Sequence, residues 1–153
     1  MADRTRRVPF DETWLDTTAG WLADESFAAL IEAGSFDPER QRAWYDSLAG
    51  RTDYVVWGIE HDGRRVGVMG LKHLDAGDGG AEYFMYLGDR SAWGHGIGRW
   101  ATEEILAEGR ARGLEYVYGL VGTHNHHSRE VHEHLGFEVV AEEDGHWRLV
   151  QRV

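Results

Sequence analysis

The chain contains no cysteine. That excludes disulfides, thiolate metal sites and a cysteine nucleophile. Proline is almost as scarce, with only Pro9 and Pro38. No proline-rich linker, internal repeat or low-complexity tract divides the sequence, and one domain over residues 1–153 is expected. Long apolar runs are also missing: none approaches the ~20 residues of a membrane span. The opening residues, MADRTRRVPF, carry charge but no apolar signal core, so a cytoplasmic location without membrane association is expected. Basic charge is short as well, with 16 Lys and Arg against 27 Asp and Glu, a net charge of −11. Nucleic-acid binding needs a basic face and is not expected. The acidic surplus draws cationic ligands toward the surface, unless it serves only solubility.

What is present is an ordinary globular mixture, 42% hydrophobic and 28% charged, enough for one core. Asp11 to Ile31 spaces its large apolar residues as one broken helix or two short ones. Asp37-Pro38 reads as an N-cap and first helical position before a helix that runs to Leu48. Strand signals follow at Tyr54–Glu60 and Val66–Lys72, joined by an Asp62-Gly63 hairpin turn. A further strand spans Glu82–Leu87. A helix from about Gly96 to Ala111 buries Ile97, Ala101, Ile105 and Leu106, with Gly113 as its C-cap. Tyr116–Val121 reads as a buried strand. A short helix from about Ser128 to Leu135, capped by Asn125 or Ser128, precedes the strands Phe137–Ala141 and Trp147–Gln151, joined by Asp144-Gly145. The sum is an α/β (α+β) domain, a mixed, mostly antiparallel sheet of six or seven strands with helices on both faces.

The most informative stretch is YFMYLGDRSAWGHGIGRW, Tyr83 to Trp100. Gly94, Gly96 and Gly98 alternate with His95, Ile97 and Arg99 at the start of a helix. Glycines there leave successive N–H groups uncovered, and the helix dipole favours negative charge above them. The pattern reads as an anion cradle suited to a pyrophosphate, with Arg90, His95 and Arg99 offsetting the acidic surroundings. A plain strand-to-helix connection is the alternative. No Lys-Ser or Lys-Thr pair follows, so it is not a Walker loop, and the G-x-G-x-G rhythm differs from the dinucleotide fingerprint.

Two motifs in this order resemble the GNAT superfamily of acyl-CoA N-acyltransferases. WGHGIG, Trp93 to Gly98, is similar to the family's R/Q-x-x-G-x-G/A cofactor loop. NHHSREVHEHLGF, Asn125 to Phe137, is similar to its N-x-x-A-x-x-x-Y-x-x-x-G-F segment. Trp93 at the Arg/Gln position, with the strand AEYFMYL, resembles the branch of ribosomal-protein N-terminal and sugar-nucleotide amine acetyltransferases. The resemblance implies acetyl-CoA as co-substrate. It places the pantetheine arm along Met85 and Leu87, the pyrophosphate over Gly94–Arg99, and Asn125 against the arm or the acceptor. The thioester carbonyl would accept from the Leu87 N–H where the flanking strands splay. Asn125 read from its position is equally a helix N-cap.

The family's general-acid Tyr is His132 here, and an acidic position found in some members is Leu120, which has no proton chemistry. Glu82 is the first candidate for general base, with an exposed strand-end carboxylate as the alternative. His73 and His124 follow, since imidazole titrates near neutral pH. For His132 the alternative to an acid is a surface histidine. His124, His126, His127, His132 and His134 raise the question of a metal, but no H-E-x-x-H or H-x-x-E-H pattern occurs and none is expected. The tryptophans read as core, the alternative for Trp44 and its neighbour Tyr45 being a wall of the acceptor pocket. The expected activity is direct acetyl transfer to a primary amine, whether amino sugar, small molecule or protein N-terminus, without an acyl-enzyme. A non-catalytic acyl-CoA sensor or partner subunit is the competing expectation. Exposed edges near the last strands leave a homodimer open.

Overall fold

The computed structural model describes residues 4–153. The chain runs β1 (Thr5–Pro9), α1 (Trp14–Leu22), α2 (Glu25–Leu30), α3 (Pro38–Leu48), β2 (Tyr54–His61), β3 (Arg64–Lys72) and β4 (Gly80–Leu87). It continues through α4 (Ile97–Ala111), β5 (Tyr116–Gly122), α5 (His126–His134), β6 (Glu138–Glu143) and β7 (His146–Arg152). One seven-stranded sheet results, ordered β1-β2-β3-β4-β5-β7-β6. Every neighbouring pair is antiparallel except β4 and β5, which run parallel.

Local chemistry explains most of these boundaries. Both Asp-Gly turns put two successive residues at positive φ: 52° and 76° at Asp62-Gly63, 52° and 77° at Asp144-Gly145. Such turns match the twist of paired strands. The early helical segment breaks at Asp24, whose carboxylate accepts from the Ser26 and Phe27 N–H groups and starts α2. Asp37 caps α3 by accepting from the Glu39 N–H, and Pro38 takes the first helical place. Asn125, not Ser128, caps α5, accepting from the Ser128 N–H at 3.1 Å. The helix therefore starts at His126, two residues before the expected start.

From the sequence no strand is expected before Tyr54, and β1 is the correction. TRRVP has neither alternation nor β-branched density. Its pairing is made by the rest of the chain: Thr5 lies opposite His61 and Pro9 opposite Trp57. Cross-strand ion pairs hold it, Arg4 to Asp62 at 2.6 Å and Arg6 to Glu60 at 2.9 Å. Arginines and a terminal proline suit an edge strand, where they discourage further pairing.

Side-chain alternation divides the sheet into two faces. Met69, Leu71, Tyr83, Val117 and Leu149 point to the face covered by α4, where Ile97, Ala101 and Ile105 are fully buried. Tyr54, Gly58, Val68, Phe84 and Tyr86 point to the other face, beneath α1–α3. There Gly58 leaves the space that the Trp14 indole fills, so a Cβ at 58 would strike the ring. Helices thus cover both faces.

Candidate functional site

Pairing between β4 and β5 covers only Gly80–Glu82 against Tyr116–Tyr118. β4 then continues alone on that side to Leu87, while β5 stays with β7 as far as Gly122 opposite His146. Tyr83, the next residue of β4, lies across Gly119 of β5, where a Cβ would come within 2.5 Å of its ring. The buried ring also packs on Phe137, so it acts as a wedge at the point where the strands part. Backbone groups alternate sides along a strand. The Gly79 carbonyl accepts from Glu115 beside β5, so Met85 and Leu87, of the same parity, turn their N–H and C=O groups into the split. The Leu87 carbonyl is taken there by the Trp93 indole N–H at 3.0 Å. Beyond Glu82 the strands leave the N–H groups of Met85 and Leu87 with no β5 partner.

The split opens onto a cavity of about 790 Å³ whose walls include Met85, Leu87, Trp93, Gly96, Asn125 and His132. Gly94 and Gly96 hold φ of 80° and 78°, and a Cβ at either would meet open space. They are glycine for backbone conformation, not for lack of room. The first helical bond of α4 is Trp100 N–H to Gly96 O, and no side chain caps the helix. Ile97, Gly98 and Arg99 therefore keep N–H groups without intrahelical acceptors, and these can bind an anion. A Cβ at Gly98 would lie 3.3 Å from the Met85 methyl, so α4 sits close to β4.

On the opposite wall, His132 Nδ1 lies 2.6 Å from the Ser128 carbonyl. A carbonyl only accepts, so Nδ1 carries the proton and Nε2 of the neutral ring is an acceptor. Nε2 is buried without a protein partner. Burial pushes the His132 pKa below the ordinary imidazole value, and the Ser128 carbonyl opposes this only partly. The resting state is a neutral ring with a free lone pair, the reverse of what a proton donor in waiting requires.

A second cavity, about 690 Å³, lies beneath α1–α3 on the other sheet face. Phe10, Phe36, Trp44, Tyr54, Phe84 and Tyr86 wall it. Trp44 meets Phe10 edge-on at 5.5 Å, and Tyr54 meets Phe84 at 5.5 Å. Ile31 and Tyr86 line both cavities, so the two meet at this pair. Burial pushes the Tyr86 phenol well above its usual range, so its hydroxyl stays protonated where the cavities join.

A family model described as an acetyltransferase (GNAT) domain matches residues 6–138. The chain belongs to the GNAT acetyltransferase family. Mycothiol acetyltransferase of Beutenbergia cavernae is 33% identical over 130 residues, covering 79% of this chain. The chain spans only 41% of the length of that curated relative. Spermidine N-acetyltransferase from Vibrio cholerae, solved with CoA and spermine, shares the fold at a TM-score of 0.86 and 12% identity, over 98% of this chain and 96% of that one. The structure of yncA from Salmonella typhimurium, solved with acetyl-CoA, aligns at 0.73 with 20% identity, over 97% and 94%.

Against this GNAT frame the expected residues separate into two groups. Met85, Leu87, Trp93, Gly94, Gly96, Gly98, Arg99, Asn125 and His132 come together around the larger cavity. Ile97 belongs to the turn by its backbone, its side chain being core. The His95 ring faces His61 at 6.4 Å and does not line the cavity. Arg90 donates to Ser26 Oγ at 2.9 Å and stacks 5.4 Å from the Trp93 ring. Trp44 lines the aromatic cavity, whereas Tyr45 packs behind it on Phe10.

Glu82, His73 and His124 line neither cavity. Glu82 is held 3.5 Å from Lys72 Nζ and 3.6 Å from His73 Nε2, beyond the end of the aromatic wall. His124 packs over Gly122, and Leu120 is half exposed on the open part of the sheet. Among the described residues no three His, Asp or Glu side chains form a metal-ligand set, and no helix is long and apolar enough to cross a membrane. Tyr86 and Phe84 were legible only as alternate residues of β4, facing away from Met85 and Leu87.

Proposed function

We propose that the protein is an acetyl-CoA-dependent N-acetyltransferase that passes the acetyl group directly to a primary amine in a ternary complex. The observation that carries this reading is the meeting of two cavities at Tyr86 and Ile31. One cavity ends in an uncapped helix start, the other in aromatic side chains. Acetyl-CoA takes the larger cavity, with its pyrophosphate over the N–H groups of Gly94–Arg99 and its pantetheine along the free edge of β4. The Leu87 N–H donates to the thioester carbonyl as negative charge develops there, an effect of about 3 kcal/mol in comparable sites. The amine enters from the aromatic cavity.

The proton path runs through His132. Its neutral Nε2 receives a proton from the amine nitrogen once the C–N bond forms. The resulting imidazolium returns that proton to the CoA sulfur as the C–S bond breaks. One group therefore serves in turn as base and acid. Glu82, beside Lys72 and His73, lies outside this path and supplies charge at the end of β4. A sensor would need only the larger cavity, and the aromatic cavity joined to it favours transfer.

Calorimetric titration with acetyl-CoA tests the reading. Saturable binding is expected, and Gly96→Glu should abolish it by placing a carboxylate in the anion cradle. Absence of binding by the native chain overturns the proposal. Binding without thiol release in the presence of any primary amine overturns the transferase step and leaves a binder.

A further inference from the structure

Resting on that transferase reading, we infer that the acceptor is a primary monoamine carrying an aromatic or branched aliphatic body, neither an amino sugar nor a polyamine. The aromatic cavity falls within the range of small-molecule sites. Among its lining residues only Asp37 and Arg40 are charged, and each makes one hydrogen bond to the backbone. Asp37 Oδ1 accepts from the Glu39 N–H at 3.0 Å, and Arg40 donates to the Ser35 carbonyl at 2.6 Å. Two of the uncharged polar side chains are tied to each other, while Ser35, Tyr54 and Tyr86 each add a hydroxyl to the wall. Thr18 Oγ1 donates to the Trp14 carbonyl at 3.0 Å, and the Gln41 amide donates to Thr18 Oγ1 at 2.6 Å.

A sugar brings several hydroxyls, each unfavourable when buried without a partner. This wall meets them mainly with ring faces and aliphatic side chains, among them Phe10, Leu22, Phe36, Trp44, Val68 and Phe84. A polyamine brings two or three ammonium groups, each needing a carboxylate or comparable partner, and the wall offers Asp37 alone. Ring faces accept a single ammonium by cation–π attraction and shelter an apolar body. Phe10, Trp44, Tyr54 and Phe84 form a continuous chain of ring contacts down to the sheet, the Trp44–Tyr54 step being 6.1 Å. Tyr86 continues that wall to the junction with the larger cavity. The amine is held as ammonium, loses one proton to solvent before attack, and then forms the C–N bond as the C–S bond of acetyl-CoA breaks. The products are the N-acetylamine and free CoA thiol.

The test measures acetyl-CoA binding by calorimetry and thiol release with phenethylamine, spermidine and glucosamine at saturating acetyl-CoA. Phenethylamine should exceed both others in kcat/KM by at least about tenfold. Phe84→Leu, which keeps apolar volume but removes the ring, should raise the phenethylamine KM several-fold while leaving acetyl-CoA affinity and kcat within about twofold. Trp44→Phe, which keeps a ring, should raise that KM less than Trp44→Leu, which removes it. Preference for spermidine or glucosamine, or acetyl-CoA binding without turnover of phenethylamine, overturns the acceptor class and leaves the cofactor half of the reading standing. Failure to bind acetyl-CoA removes the transferase reading and, with it, this inference.

Discussion

His132 shows how much one side chain's surroundings decide. As a position in the sequence it substitutes for a family tyrosine and suggests a proton donor. In the fold, Ser128 claims its Nδ1–H, and the rings of Tyr83 and Phe137 at 5.6 and 5.2 Å remove water from around it. Both facts favour the neutral ring with Nε2 as acceptor. Because the His132 pKa is lowered, the neutral form persists below the ordinary value of about 6.5. The acid limb of kcat against pH should therefore lie below that of free imidazole. His132→Ala should lower kcat about 10²-fold or more, the usual range for a lost acid–base group, with acetyl-CoA affinity changed no more than about threefold. His132→Gln, which keeps a polar side chain but cannot titrate, should be equally slow. A pH–rate profile of each variant checks this, and an unmoved acid limb in His132→Gln would reject the assignment. Stability carries the same sign. A group whose folded pKa is depressed stabilises above its unfolded value, and that contribution is lost as pH falls through the folded one.

At the scale of elements, the anion cradle depends on how α4 begins. Gly96 and Gly98 look alike in the sequence, yet the structure gives them different work. Gly96 is at φ 78° with open space around a Cβ, so Gly96→Ala strains the backbone by about 1–2 kcal/mol. Gly98 is tight instead, since a Cβ there would lie 3.3 Å from the flexible Met85 methyl. Gly98→Ala should cost less than 1 kcal/mol, because a methionine side chain can yield. Urea unfolding of the two variants should rank them in that order, and the Gly96 variant should also bind acetyl-CoA more weakly. The hairpins, α4 and the caps at Asp37 and Asn125 were readable in advance because each is decided by residues within a few positions. β1 was not, and the parting of β4 from β5 was expected only through the family resemblance, not from the residues themselves. The first is made by distant partners on β2, and the second by Tyr83 lying over Gly119 from another strand. The aromatic cavity was legible only in part, through Trp44 as an alternative wall residue. Phe10, Trp44 and Phe84 have the composition of a core, and only the assembled helices determine that the space between them stays open.

At the scale of the whole molecule, charge is distributed in a way that treats the two substrates differently. The segment that covers the aromatic cavity, residues 11–53, holds ten carboxylates against three arginines and no lysine. The full chain carries a net charge of −11. A cationic amine is drawn toward this surface, whereas the polyanionic CoA must approach against the overall field and rely on the local N–H groups of α4. Salt screens long-range terms first, since the Debye length is about 10 Å at 0.1 M. Raising ionic strength from 50 to 500 mM should therefore lower kcat/KM for a cationic amine by about threefold or more, mainly through association. The same change should leave acetyl-CoA affinity level or improve it, because repulsion weakens while the short-range cradle remains. Kinetics in amine at saturating acetyl-CoA, paired with calorimetry in acetyl-CoA alone, separate the two responses. An amine kcat/KM that does not fall with salt would mean that the acidic cover does not steer the amine. A loss of acetyl-CoA affinity with salt would mean that the overall field does not oppose the cofactor. It would also mean that surface arginines such as Arg99, paired with Glu103 at 3.2 Å, dominate cofactor capture instead of the helix start.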